Sequence, residues 1–570
     1  MTAGWPDRLR RLVRHEWTVA SLGALALAVV MTWPTLRHPW RTIPQDIGDP
    51  TLQAWQIAWG GHALLTDPVH LWHSNTFYPE PYTYAYSDTL LGYALFGMIG
   101  GGPGAAVFRY NILYVLLHAL AFVGAYALAR QLGAARGGSA VAGAAFAYAP
   151  WRLAQAGHMH VLSTGGIALA LAMLARGHGW SLREGYRPDR VRPGWALAGW
   201  LVAAWQVTLG FGIGLPFAYV LIGVCLVAAA GYAWSRWRRG TRPPFPGRLL
   251  RADLAGGVVF AGITLLMARP YLQVVELHPE SRRTIEWVAL FSPPLRGLFI
   301  APAESWLWGA RQAAERATLG WPAEMTLLPG LVVMCLASAG LFFSVWRPRH
   351  RALLVTGVVV SAALAMGTQF AGDGDPGYAT LFRLLPGWDG LRTSGRLVVW
   401  TTLLLAVLAA GTVTAVTERA RAIGWRAPAV VLATVIPLAF VLVEGVNRTP
   451  HVPVPAEPAA MHGVAGPVLV LPSDGLSELS VMLWSTDGFP KIVNGLASFT
   501  PASQQETRDA AMSFPDPASV GYLRAHGIRT VLVVRQWLPG TPWQEVLRRP
   551  VDGLGITRED LPDAVVFHLS

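Results

Sequence analysis

Apolar stretches of membrane-crossing length recur along most of this chain, separated by short polar or basic segments. They fall near residues 17–36, 107–129, 138–154, 160–176, 195–210, 212–234, 252–270, 326–346, 352–370, 396–417 and 427–446. Scanned with a window of about 19 residues, they predict about eleven transmembrane helices across a hydrocarbon core of roughly 30 Å. The apolar run 89–102 is shorter and ends in a glycine series. It reads as a re-entrant or surface-lying helix, because a lone crossing there would move every later basic loop to the opposite side. After residue 447 the pattern changes. The apolar runs Val468-Leu469-Val470-Leu471 and Thr530-Val531-Leu532-Val533-Val534 are too short to span, and a helical pattern over 520–526 precedes the second. The prediction is a polytopic α-helical membrane module, residues 1–446, with surface helices in its outer loops, and a small C-terminal α/β domain, residues 447–570. The stiff proline-rich connector Thr449-Pro450-His451-Val452-Pro453-Val454-Pro455 leads into that domain.

Composition narrows the class. Hydrophobic residues make up 53% of the 570 and charged residues 14%, which excludes a soluble globule. The net charge of +12 would suit nucleic acid, but the arginines lie in short clusters between apolar spans. Basic residues so placed orient membrane proteins, and nucleic-acid binding is discounted. Arg8, Arg10, Arg11 and Arg14 precede the first span and no small-residue cleavage site follows, which predicts an uncleaved first helix and a cytoplasmic N-terminus. The Arg-rich segments 130–136, 183–192, 236–251, 347–351 and 419–426 then all fall on the cytoplasmic side. The opposite face receives 37–106, the turn at 155–159, 271–325, 371–395 and everything after 447. Lys491 is the single lysine, a composition bias without functional reading. Cys225 and Cys335 both sit in apolar spans and suggest neither disulfides nor a zinc site. There is no internal repeat of fixed period. The glycines from Gly100 to Gly104 lack the preceding strand and the lysine of a phosphate loop, so no nucleotide cofactor is expected.

Candidate chemistry concentrates in the outer loops. Gln45-Asp46-Ile47-Gly48-Asp49-Pro50 follows the first span and opens an amphipathic run over 51–65. Carboxylates at a membrane helix end are candidates for chemistry at the bilayer surface. Asp49 before Pro50 also suits a helix cap, and Asp46 an exposed loop acid. Asp88, in Ser87-Asp88-Thr89-Leu90-Leu91-Gly92, stands at the start of the short apolar run. Arg152, His158 and His160 flank the next outer turn; histidines two apart are a weak metal motif, and interfacial solvation competes with catalysis for each. Leu391-Arg392-Thr393-Ser394-Gly395-Arg396 sets two guanidiniums at an outer membrane end, against the positive-inside trend. A phosphate is the natural partner of paired arginines, with snorkelling to lipid headgroups as the alternative. Arg282, Arg283 and Glu286 form a less specific cluster. Trp55, Trp59, Trp72, Trp306, Trp308 and Trp388 fit an interfacial belt.

With these residues in place the chain resembles the GT-C glycosyltransferases. The resemblance rests on Gly48-Asp49-Pro50-Thr51-Leu52-Gln53-Ala54-Trp55 and Ser87-Asp88-Thr89-Leu90-Leu91 in one loop after a single span. It is closer to bacterial membrane proteins assigned to that superfamily (YfhO-like, RgtA/B/C/D-like), through Phe77-Tyr78-Pro79-Glu80-Pro81, Tyr148-Ala149-Pro150-Trp151-Arg152, His158, the segment from Leu391-Arg392 to Arg396, and Val493-Asn494-Gly495. The resemblance covers the whole chain. It implies an enzyme of a bacterial cytoplasmic membrane that moves a sugar from a polyprenyl-phosphate carrier to an envelope glycan, lipid or protein on the non-cytoplasmic face. By position, Asp49 matches the catalytic base and Asp88 the second acid of the loop. The usual adjacent acid pair is split here into Asp46 and Asp49, which keeps both in play, and Asp88 stands where glutamate is commoner. Arg392 and Arg396, with Arg283, His158, His160 or Arg152, would stabilise the leaving phosphate. Sugar, acceptor, stereochemical outcome and dependence on a divalent cation leave no sequence signal.

Two other readings compete. A flippase for lipid-linked glycans calls for ionisable groups inside the spans and symmetric halves; Glu444 and Gln206 are the main polar exceptions there. A non-catalytic envelope scaffold on the same fold is the third. In the tail, Asn494-Gly495 and Asp474 give no nucleophile, base and orienter set, so no second enzyme is expected.

Overall fold

The computed structural model describes residues 15–239 and 246–569. The N-terminal arginines that set the expected orientation, and part of the basic segment 236–251, lie outside the described residues. A helix stands at every predicted apolar stretch. Among the described residues six helices are long and apolar enough to cross a membrane: Gly102–Leu132, Met159–Gly177, Phe211–Arg238, Gly247–Leu277, Ser394–Ala422 and Ala427–Glu444. Glu16–Met31 and Leu331–Phe342 are apolar but shorter. At 1.5 Å rise per residue a 12-residue helix such as Leu331–Phe342 reaches about 18 Å, well short of a bilayer core. Gly247–Leu277 presents Leu254, Val258, Leu265 and Leu266 outward, and Ala427–Glu444 presents Val431, Leu432, Val435 and Phe440. Such apolar faces belong in lipid, and the protein is a multi-pass helical membrane protein.

The chain divides into two compact units. The first comprises the described residues of Met1–Trp33 with Leu113–Met267 and Arg283–Thr449. Its hub is Val398–Ala422, buried on most sides and packed against Arg136–Ala147, Leu331–Phe342 and Pro348–Ala365. Small residues permit these approaches: a Cβ on Gly138 would lie 2.4 Å from the Ala410 carbonyl oxygen, and one on Gly340 2.5 Å from Thr412 Oγ1. Glu444, 3% exposed, accepts the N–H groups of Leu331 and Val332, both at 2.9 Å, and Trp308 Nε1 at 3.2 Å. It satisfies the open N-terminus of the helix Leu331–Phe342, a structural duty for the most conspicuous acid in the spans. Gln206 donates to the Ser163 carbonyl at 2.6 Å.

The second unit comprises Pro34–Ile112, Ala268–Arg282 and Pro450–Ser570. At its centre lies a four-stranded sheet in the order Val468–Leu471, Thr530–Val534, Ala564–His568, Thr557–Asp560. The first pair is parallel and the other two antiparallel. The two valine-rich strands read as unbroken apolar runs because both sheet faces are covered. Val468, Val470, Leu532 and Val534 pack on Leu52, Trp55 and Trp59. Alternate residues Leu469, Leu471, Val531 and Val533 pack on Phe514, Leu523 and Trp543.

Three expectations for this unit change. The run over 51–65 forms the helix Asp49–Thr66, but it is not amphipathic: Pro50 through Gly61 are all buried between the sheet and the rest of the first loop. Trp55 and Trp59 are therefore core residues and not an interfacial belt; in the first unit Trp388 is likewise buried, whereas Trp306 is 47% exposed. Second, the expected connector is a strand: His451–Pro453 pairs antiparallel with Thr42–Pro44, Pro453 opposite Thr42. Third, the run 89–102 is a broken stretch, with the 3₁₀ turn Leu91–Tyr93, the single helical turn Ala94–Gly97, and a loop whose Ile99 and Gly100 carbonyls accept from Arg109. Gly97 lies so close to the loop helix that a Cβ there would sit 1.9 Å from the Ile57 carbonyl oxygen.

Candidate functional site

In the second unit the chain leaves the strand Thr42–Pro44 through Gln45, whose φ is 74° and whose N–H donates to Pro450 at 2.8 Å. Asp46 then accepts the Gly48 N–H through Oδ1 at 2.7 Å. That side-chain turn places Gly48 at the cap position and Asp49 in the first turn of the helix Asp49–Thr66, so Asp49 is not the cap residue its sequence context suggests. Its side chain is exposed at the head of a helix whose next twelve residues are buried, and the positive end of the helix dipole favours an anion there. Asp88 precedes the short turn by three residues and does not open a helix. Its carbonyl accepts Gln56 Nε2 at 2.9 Å, tying the acid-bearing segment to the helix that starts at Asp49. Tyr271 braces the same segment, its hydroxyl 3.2 Å from the Thr89 nitrogen.

A further cluster in this unit was not singled out from sequence. His278 Nε2 meets the Tyr86 hydroxyl at 2.8 Å and a Glu80 carboxylate oxygen at 3.6 Å, while Nδ1 faces Glu280 at 3.3 Å. Ser503 donates to Glu80 at 2.5 Å, and Phe499 packs on Tyr86 and His278. Burial, then the charges of Glu80 and Glu280, push the Tyr86 phenol up, which keeps it a neutral hydrogen-bonding group. Glu80 stood inside a quoted motif; His278 had no local signal, lying just beyond a membrane helix.

In the first unit, Arg396 and His160 come together with a residue overlooked in the sequence, Glu324. Arg396 donates to Glu324 through Nη2 at 2.6 Å and Nε at 3.3 Å, and its Nη1 lies 3.3 Å from His160 Nε2. Gln155 donates at 3.1 Å to Oε2, the carboxylate oxygen that also receives Arg396 Nε. Burial pushes Glu324 up, but the charges of Arg396 and His158 and the hydrogen bonds outweigh it and hold the carboxyl below its ordinary value. Arg392 stacks over Phe291, 4.8 Å from the ring centroid. Burial, followed by the like charge of Arg392, pushes the Arg283 guanidinium down, so these two cations share one neighbourhood. Arg152 is enclosed, 2% exposed, and donates to Leu162 O at 2.9 Å and Thr164 Oγ1 at 3.1 Å. Among the described residues, the one group of three metal-type donors converging within 4.8 Å contains none of Asp46, Asp49 and Asp88.

No family model matches the sequence, and no curated protein matches it. Among solved structures, a cryo-EM structure of a point variant of the mycobacterial arabinofuranosyltransferase AftD superposes at a TM-score of 0.50 and 17% identity, covering 97% of this chain and 41% of that one. The chain has a GT-C fold. A second AftD structure aligns at 0.48 with 17% identity, over 97% of this chain and 40% of that one. The apo oligosaccharyltransferase of Archaeoglobus fulgidus aligns at 0.42 with 14% identity, over 94% and 71%. Neither of these two is near enough to argue from. The chain spans about two-fifths of the length of AftD.

Within this GT-C fold, two of the short motifs that suggested it are packing seams. Phe77 and Tyr78 donate their N–H groups to Asn494 and Ile492, and a Cβ on Gly495 would lie 2.5 Å from the Phe77 ring. Trp151 donates its N–H to Leu328 and its indole to Thr402 Oγ1 at 2.9 Å.

Proposed function

We propose that the protein is a membrane glycosyltransferase that passes a sugar from a polyprenyl-phosphate carrier to an envelope glycan, lipid or protein, with Asp49 as general base. The observation that carries this reading is an exposed carboxylate at the head of a loop helix whose next twelve residues are buried, in a chain with a GT-C fold. The acceptor hydroxyl oxygen attacks the anomeric carbon as Asp49 takes its proton. The bond from that carbon to the phosphate oxygen breaks, and the electron pair leaves with the lipid phosphate. A phosphate anion needs cations more than a proton, which suits Arg392 and Arg283 as its holders. Arg396, with His160 and His158, is assigned to positioning, since Glu324 already balances its charge. Asp88 is the secondary acid of the loop. Asp46, which accepts the Gly48 N–H, is the alternative base, and Asp49 is preferred by its position in the loop. The reading places the protein in a bacterial cytoplasmic membrane by way of about eleven helices, N-terminus inside and the C-terminal domain outside.

The test is transfer by the purified full-length protein from a panel of polyprenyl-phosphate sugars, an arabinofuranosyl donor included, to envelope glycan acceptors. Loss of a general base lowers turnover by about 10²–10⁴-fold, and that is expected of Asp49→Asn with unchanged expression and melting. Full activity in that variant would remove Asp49 as the base. The flippase reading is weakened by Glu444 and Gln206, which both hold backbone groups of neighbouring segments.

A further inference from the structure

The sheet-bearing unit contains a donor cluster that the glycosyl-transfer reading does not use. Glu457 lies just after the strand His451–Pro453, His462 just after the turn Ala459–Met461, and Asp487 three residues after the helix Ser477–Trp484. Their donor atoms all lie within 4.8 Å of one another. His462 Nδ1 stands 2.6 Å from Asp487 Oδ2 and 3.9 Å from Glu457 Oε1. The Glu457 side chain is only 7% exposed, and its Oε1, turned toward His462, accepts no hydrogen bond. A carboxylate oxygen this enclosed without a donor is costly unless a proton or a cation meets it. The histidine is on the open side, 59% exposed, so the cluster is reachable from solvent.

We propose that Glu457, His462 and Asp487 form a binding site for a divalent transition cation of the zinc type. An imidazole nitrogen with two carboxylate oxygens suits zinc or its first-row neighbours better than calcium or magnesium, which prefer all-oxygen shells. Bonds of about 2.0–2.2 Å in a tetrahedral arrangement put neighbouring donors roughly 3.3 Å apart, between the two separations found here. Side-chain movements on the order of an ångström complete the set, and the two carboxylates neutralise the ion. Water would fill the remaining position. The ion would tie the segment entering the sheet domain to the loop after Ser477–Trp484. That loop continues into Phe489, which stacks on His62 at 4.2 Å and meets Trp59 at 5.7 Å, both on the helix that begins at Asp49. The site is a staple for this unit and is independent of whether the protein transfers sugars.

The experiment uses tag-free, full-length protein in detergent, stripped with a chelator and then titrated with zinc ion alone. Wild type is compared with Glu457→Gln, His462→Gln and Asp487→Asn. Every other exposed histidine is common to all four proteins, so the readout is a difference in stoichiometry. Each variant is expected to bind one equivalent fewer and to lose the zinc-induced rise in melting temperature seen in wild type, while matching it in chelator. Hydrogen exchange should show zinc protecting 456–463 and 485–490 in wild type alone. Equal zinc stoichiometry and equal melting shifts in all four proteins would overturn the site. A variant that melts early even in chelator is judged by its stoichiometry together with the other two, which must still differ from wild type by one.

Discussion

Replacing Glu324 by glutamine removes a charge while keeping nearly the same shape, and its cost follows from the surroundings. The side chain is 6% exposed and Arg396, its partner, 18%. The carboxylate receives Arg396 at 2.6 and 3.3 Å and Gln155 at 3.1 Å, so a glutamine would turn an NH₂ toward at least one donor. Removing one member of a buried ion pair costs about 3–5 kcal/mol, mostly through the stranded charge. Arg396 keeps some access to solvent, which places the expected cost near the lower end, about 3 kcal/mol. For a chain of 570 residues, an unfolding entropy of roughly 2 cal/mol/K per residue converts this into a fall of about 2–3 °C in Tm. Tryptophan fluorescence during thermal unfolding of the full-length protein in detergent reads that shift.

The pH dependence gives the same pair a second signature. The folded-state pKa of Glu324 lies below its ordinary value of 4.5, because Arg396, His158 and the hydrogen bonds together outweigh the upward push of burial. The unfolded chain then binds the proton more readily, so the stabilisation is complete above 4.5 and fades as pH falls below it through the folded-state value. The gap between wild type and Glu324→Gln should be open at neutral pH and close in acid. In a cycle with Arg396→Gln, the double variant should lose at least about 1 kcal/mol less than the two single losses combined. Strict additivity, an unshifted melting curve at neutral pH, or a gap that persists in acid would each refute the ion-pair account.

Two smaller predictions concern groups that satisfy backbone. Asn494→Ala deletes the side chain that accepts from the Val470 N–H at 2.7 Å and donates to its carbonyl at 2.9 Å; a loss of about 2–3 kcal/mol and faster amide exchange at Val470 are expected, and unchanged exchange would count against it. Glu444→Ala uncaps Leu331–Phe342 and should lower stability by about 1–2 kcal/mol, with Glu444→Gln less affected; wild-type melting in both would return this acid to the list of functional candidates.

What could be read from sequence follows the range of the forces involved. Membrane helices announce themselves because lipid imposes a continuous apolar requirement on each one locally, and a helix does stand at every predicted stretch. The strands Val468–Leu471 and Thr530–Val534 were legible to the residue, since a strand covered on both faces is apolar throughout. The burial of residues 50–61 was not. Gln53 and Gln56 look like a solvent face, but Gln56 reaches the Asp88 carbonyl and the neighbouring Trp55 reaches Asn75, partners that exist only once the loop has folded. Pro453 likewise argued against a strand, yet a two-stranded ladder is all edge and tolerates it.

The paired arginines make the same point for the candidate site. Arg392 and Arg396 look equivalent in sequence, two cations four residues apart, and a phosphate seemed the natural partner for both. Glu324, 72 residues away, makes them unequal: it balances Arg396, whereas Arg392 lies over the Phe291 ring beside Arg283. An anion drawn to Arg396 would have to displace a buried carboxylate, so two guanidiniums that look alike in the sequence are not interchangeable in the fold.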